Sequence, residues 1–185
     1  GYDTSKAVTA VDVFVYDTSK DTDGGAWRNR TQATSWYNEA LNTATRGSRK
    51  EFPAVAVIVA EANKVTIFDG DDPSMPMWRV TNAISGTVPQ FWRTGRSATS
   101  VYALNGTVAI GAGTDGGAGL LLINFSADYL ARYSDGGTND GKVAFVTTDA
   151  STTAILDTSY PAIINNTVND VAMTVLPDAP IDYAT

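Results

Sequence analysis

The sequence predicts an all-β protein built of propeller-like, four-stranded antiparallel blades with one short helix. Three observations carry this. Three stretches read alike: "VFVYDTSKDTDGGAWR" (13–28), "VTIFDGDDPSMPMWR" (65–79) and "LLLINFSADYLARY" (120–133). Each runs from an aliphatic segment into Asp17, Asp69 or Asn124, then through polar turn residues to a segment holding an aromatic residue and an arginine. Asp and Asn bond their own backbone two residues on, so the pattern reads as strand, Asx turn, strand. The spacing from Asp17 to Asp69 to Asn124 is close to 50 residues, a period of propeller blades. Finally, Asn105–Gly106 lies between two apolar runs, a strong short hairpin signal.

In chain order, the first strand is "VFVYD", followed by a turn rich in Asp and Gly. "TSWYNEALNTATRG" (34–47) is the helix candidate: Thr34 or Ser35 can cap it, Trp36, Ala40 and Leu41 share a face, and Gly47 can stop it. "AVAVIVAE" (54–61) turns at Ala62–Asn63 into "VTIFD". The most complete blade spans 99–134, with strands at about 100–104, 107–112, 119–124 and 128–133. "SADYLARY" could equally begin a helix capped by Ser126. "KVAFVTT" (142–148), "TAILD" (153–157) and "VNDVAMTVL" (168–176) are further strand candidates. About three units result, fewer than the four or more blades of a closed propeller. The expectation is a single domain over 1–185, part of a longer protein, with sheet edges left to be covered by other strands.

Composition narrows the chemistry. With no cysteine and no histidine, disulfides, thiolate zinc sites, cysteine nucleophiles and Ser-His-Asp triads are excluded. No apolar run approaches the length that crosses a bilayer as a helix. Residues 97–185 hold only Arg132 and Lys142 against nine aspartates and carry the whole net charge of −7, which opposes nucleic-acid binding. Arg46, Arg49 and Lys50 read as a solvated basic loop.

Asp17, Asp21 and Asp23 are calcium candidates, because "DTSKDTDGG" concentrates hard oxygen ligands. The EF-hand register fails, since Arg30 falls where a bidentate Glu is needed, and an Asx-rich turn is the preferred reading. "GAGTDGGAG" (111–119) lacks the Lys-Ser/Thr ending of a phosphate loop. Asn29, Asn105, Asn124 and Asn165 match the N-x-S/T pattern, and at least two of them sit on expected turns. Among the carboxylates no pair stands out for glycoside hydrolysis. Trp27, Trp36, Trp78 and Trp92 could stack on glycans, but aromatic residues repeated at equivalent places more often fill the core. Trp27 and Trp78 are expected to be buried.

The run from "VDVFVYDTSKDTDGGAWR" through "TSWYNEALNTATRGSRKEFPAVAVIVAE" and "VTIFDGDDPSMPMWRV" resembles the opening part of large proteins of marine bacteriophages. Those look like propeller-containing virion or tail-associated proteins, and the likeness covers about the first 135 residues. The resemblance implies a non-enzymatic structural or host-surface interaction module located in the virion. Its partners would be other virion proteins, further copies of the chain or a host-surface glycan. It carries over no residue role, and such proteins are much longer than this chain. The rival reading is a carbohydrate-binding or carbohydrate-active domain using inter-blade Asp and Trp residues.

Overall fold

The aliphatic runs become strands, and the Asx and Asn-Gly sites become the turns between them. The computed structural model describes residues 9–82, 97–113, 119–134, 141–144, 155–157, 163 and 167–176. Its strands are β1 (Ala10–Asp17), β2 (Val55–Glu61), β3 (Lys64–Asp69), β4 (Met77–Asn82), β5 (Ser97–Leu104), β6 (Thr107–Gly113), β7 (Gly119–Asn124), β8 (Tyr129–Tyr133), β9 (Gly141–Ala144) and β10 (Ile155–Asp157). All pairings are antiparallel, in two sheets of order β1-β2-β3-β4 and β10-β9-β8-β7-β6-β5. Among the described residues neither sheet closes on itself. The four antiparallel strands expected over 99–134 are present as β5–β8, but β9 and β10 extend them to a six-stranded sheet, so the count of three repeated units gives way to two sheets.

The Asn105–Gly106 hairpin forms as expected. Both residues take positive φ, 50° and 72°, as the tight turn that matches strand twist requires. A Cβ at position 106 would also stand 3.1 Å from the Trp27 ring, so glycine serves packing as well as turn geometry. "SADYLARY" resolves as strand: Asp128 takes φ 55° and β8 starts at Tyr129.

Three expectations change. The 13–28 repeat is not a hairpin. Asp17 accepts from the Ser19 amide and caps a short 3₁₀ turn, Thr18–Lys20. Gly24 and Gly25 then take left-handed φ and lead into a second 3₁₀ segment, Ala26–Arg30, which holds Trp27. Residues 34–47 are turns and bends, not a helix. The Ser35 amide and hydroxyl both donate to Asp128 rather than capping a helix, at 2.7 and 2.8 Å. Asn42 adopts φ 57°, and Val80 N donates to Thr45 O while Gly47 N donates to Trp78 O. Covering the edge of β4 thus outweighs local helix preference. Residues 168–176 form no strand, and "KVAFVTT" is strand only to Ala144, its remainder lying outside the described residues.

One core joins the two sheets. Ile58, Val65 and Ile67 face Val101, Val108, Ile110, Leu121 and Ile123, and Trp27, Trp36, Phe52, Trp78 and Phe125 complete the cluster. Along β1 and β5 the sheets meet through side chains. Asp12 accepts from Val13 N with one oxygen and from Val101 N with the other, both at 2.8 Å. A carboxylate therefore occupies an outward donor on each of two edge strands, which blocks further strand pairing there. The expectation of uncovered edges is thereby corrected at β4 and at this part of β5.

The β3–β4 turn is fixed by charge. Arg49 Nη1 donates to both oxygens of Asp69 at 2.9 Å and to Asp71 at 2.7 Å. Asp71 also accepts from the amides of Ala54 and Val55, both at 2.8 Å. Burial works against the Asp71 carboxylate, yet these amides and then Arg49 outweigh it and hold its pKa below the usual range. A carboxyl depressed on folding contributes stability at neutral pH that is lost as the pH falls through its folded value. We predict that acid unfolding steepens below about pH 4, the ordinary carboxyl range. Asp71→Asn should flatten that slope; an unchanged pH profile of the melting temperature would refute the assignment.

Candidate interaction surface

The three candidate aspartates have separate tasks. Asp17 Oδ1 accepts from the Ser19 hydroxyl at 2.7 Å and amide at 3.0 Å, and these bonds lower its pKa. Asp23 accepts from Gly25 N at 3.0 Å and pairs with Arg30 at 2.8 Å. Asp21 is buried, and three donors fill it: the Tyr16 hydroxyl at 2.6 Å and Trp27 Nε1 at 2.8 Å on one oxygen, Asn105 N at 2.8 Å on the other. Among the described residues no three acidic side chains converge on a common point.

Asp21 works as a latch between the sheets. Tyr16, held by it, accepts from Gly106 N at 2.7 Å, and Thr22 N donates to the Asn105 side chain at 2.8 Å. Burial, then the bond to Asp21, raises the Tyr16 pKa far above normal, so the phenol stays protonated and keeps donating. Asp21→Asn would turn an amide donor toward other donors and should cost about 1–3 kcal/mol. Calcium should leave the melting temperature of the unaltered protein unmoved. A metal bound only to the folded state at 100 times its dissociation constant would add about 2.7 kcal/mol, and such a shift would overturn the latch reading.

The described tryptophans are interior. Trp27, Trp36 and Trp78 are at most 1% exposed, which confirms the expectation for Trp27 and Trp78. Trp36 meets Trp78 and Phe125 edge-on, at centroid distances of 5.6 and 5.5 Å. Their indole N–H groups donate inward: Trp36 to Phe125 O at 2.9 Å and Trp78 to Glu51 O at 2.8 Å. None of the three offers a ring face to a glycan. Trp92 lies outside the described residues.

The basic loop of the sequence is also partly interior. Arg46 is buried, stacks at 4.3 Å on the Trp78 ring, and donates to Trp78 O at 3.0 Å and Lys50 O at 2.8 Å. Its Nε lies 3.9 Å from Glu39, which also binds Arg79 in a two-pronged pair. Burial, reinforced by Arg79 and opposed by Glu39, lowers the Arg46 pKa to about 10. The guanidinium still keeps its charge at neutral pH. The expected solvated loop is thus corrected: the spacing of charge in the sequence concealed a carboxylate shared by two arginines.

Strand β1 turns an apolar face outward. In β1 the alternation sends Asp12, Phe14 and Tyr16 toward the second sheet, where Phe14 meets Tyr102 at 4.5 Å. Val11, Val13 and Val15 point the other way and are 50%, 46% and 41% exposed. They stand beside Val57 and Val59, which pack with Met75, Ala10 and Phe68 in a second apolar cluster. Strand alternation separates the valines from Asp12, Phe14 and Tyr16 but does not decide which face is inside. The sequence signal was the polar tips on alternate residues Asp12 and Tyr16, which suit bonding to an adjacent strand edge.

Fold and surface together define the class: an all-β protein of two antiparallel sheets, with an apolar face of β1 turned outward. Comparison with protein-family models, curated proteins and solved structures finds no match to the chain. Among the described residues no helix is long and apolar enough to cross a membrane.

Proposed function

We propose that the chain is a non-enzymatic structural or host-surface interaction module of a phage particle, tail- or virion-associated. The valine face of β1 carries this reading. Three half-exposed valines on one face of a folded strand support a contact role for that face. The four-stranded meander of β1–β4 is the arrangement of one propeller blade, and we read the two sheets as blade-like units of a larger assembly. Other virion proteins or further copies of the chain are the partners that suit an apolar sheet face. A glycan-binding or glycan-cleaving role finds less support, because the three described tryptophans are sealed and Asp21 has its oxygens filled.

Two measurements test the reading. Mass spectrometry of purified particles of the encoding phage should find the chain in fixed stoichiometry with the other particle proteins. Its absence from particles would refute the virion assignment. A glycan array and a polysaccharide hydrolysis screen should give no turnover; turnover abolished by a single Asp→Asn change would replace the structural reading with an enzymatic one.

A further inference from the structure

The Asn105–Gly106 turn is chemically reactive as well as tight, and it is the chain's sole Asn-Gly pair. In such a pair the glycine nitrogen, unshielded by any side chain, can attack the asparagine Cγ. A bond forms between Gly106 N and Cγ, the Cγ–Nδ2 bond breaks, and ammonia leaves. Water then opens the cyclic imide at either carbonyl, giving aspartate or isoaspartate. The attack needs a side chain free to turn and a nitrogen free to give up its proton. The folded chain withholds both. Asn105 Oδ1 accepts from Thr22 N at 2.8 Å and Nδ2 donates to Thr22 Oγ1 at 3.0 Å, so Thr22 grips both ends of the amide. Gly106 N donates to the Tyr16 hydroxyl at 2.7 Å. Burial, then the bond to Asp21, keep that phenol protonated, so it accepts the hydrogen bond without taking the proton. Asn105 N is held in turn by Asp21 at 2.8 Å.

We propose that Asn105–Gly106 is a latent deamidation site, guarded by residues 16–22 while they are docked and converted once they lift away. Every guard comes from this one segment: Thr22, Asp21 and Tyr16 lie 83, 84 and 90 positions from the residues they hold. The β5–β6 ladder closes around the turn through Leu104 and Thr107, but it is made of backbone bonds and leaves the Asn105 side chain to Thr22. Undocking of the single segment therefore frees side chain and nitrogen together. The product does not lock again. Aspartate at 105 loses the donor that meets Thr22 and brings a second carboxylate beside Asp21, where like charges repel. Isoaspartate adds a backbone carbon to a two-residue turn whose φ angles are 50° and 72° and whose glycine is seated against Trp27. A reversible local opening thus becomes a permanent one.

The full-length protein is incubated folded and, in parallel, unfolded in guanidinium chloride, and the peptide holding Asn105 is followed by mass spectrometry. The folded chain should deamidate there at least about tenfold more slowly, because reaction waits for the open fraction. Tyr16→Phe and Thr22→Val each remove one guard and should raise the folded-state rate by about three- to tenfold, the population shift that one hydrogen bond supports. Thr22 is exposed, so its variant keeps the core and reads the guard even where Tyr16→Phe fails to fold. Chain deamidated in the unfolded state, then refolded, should melt below the unaltered protein. Equal rates in the folded and unfolded chains would overturn the protection. A folded-state rate unchanged in Thr22→Val would assign the protection to the turn alone and overturn the role of residues 16–22. Equal melting of the deamidated and unaltered chains would overturn the one-way step.

Discussion

Replacing Trp78 with alanine should destabilise the protein by about 3–5 kcal/mol, the usual cost of removing a large buried aromatic side chain. The ring is fully enclosed and sits between Phe52, Trp36 and Phe125, at centroid distances of 4.9, 5.6 and 5.4 Å. It supports Arg46 on one face and fixes the Glu51 carbonyl through its N–H. Truncation therefore opens a cavity where both sheets and the 34–52 connection meet. Chemical denaturation measures the loss. A change under 1 kcal/mol would mean that neighbouring side chains collapse into the space, and the ring would not be the keystone described.

Glu39→Gln should cost a comparable amount, about 3–5 kcal/mol, because removing one partner leaves uncompensated buried charge. Glu39 is the shared counter-ion of Arg46 and Arg79, both poorly exposed. The amide retains the shape and some hydrogen bonding but loses the charge between two guanidinium groups. Much of the loss should return in the Glu39→Gln/Arg46→Met double variant, which removes one of the stranded charges. Failure of that double variant to recover stability would show that charge balance is not the reason for the single effect.

The strands were legible because their determinants are local. The aliphatic runs of β1–β3 and β5–β7, the Asn105–Gly106 turn and the Asx residues at 69 and 124 each act within a few positions and produced the elements expected, whereas the run over 168–176 formed no strand. The 34–47 segment was misread because its outcome is set at a distance. Ser35 could cap a helix, yet Asp128 takes its amide and hydroxyl, and Trp36 is drawn into the core against Phe125. Asp21 shows the same limit at the candidate site. Its neighbours suggested metal coordination or a turn, while its main partners include Asn105, brought close only by the fold. The outward valines were hidden for a related reason: period two gives two faces, and which one is inside depends on the strand edge alongside.

The contacts that join the sheets have a consequence for the order of folding. Within β2–β4 and β5–β8, each strand pairs with its neighbour in sequence, so ladder formation needs only short loop closures. The contacts between sheets instead join residues far apart: Asp12 to Val101 spans 89 positions, Tyr16 to Gly106 spans 90, and Ser35 to Asp128 spans 93. Long-range contacts repay their closure entropy late. The two meanders should therefore zip first, with docking of β1 and its following turns the slow step. Substitutions at the β6–β7 ladder should then slow folding, with φ-values near one, whereas Asp12→Ala should mainly speed unfolding. High φ-values at Asp12 and low ones in the meander would reverse this order and make the seam the nucleus.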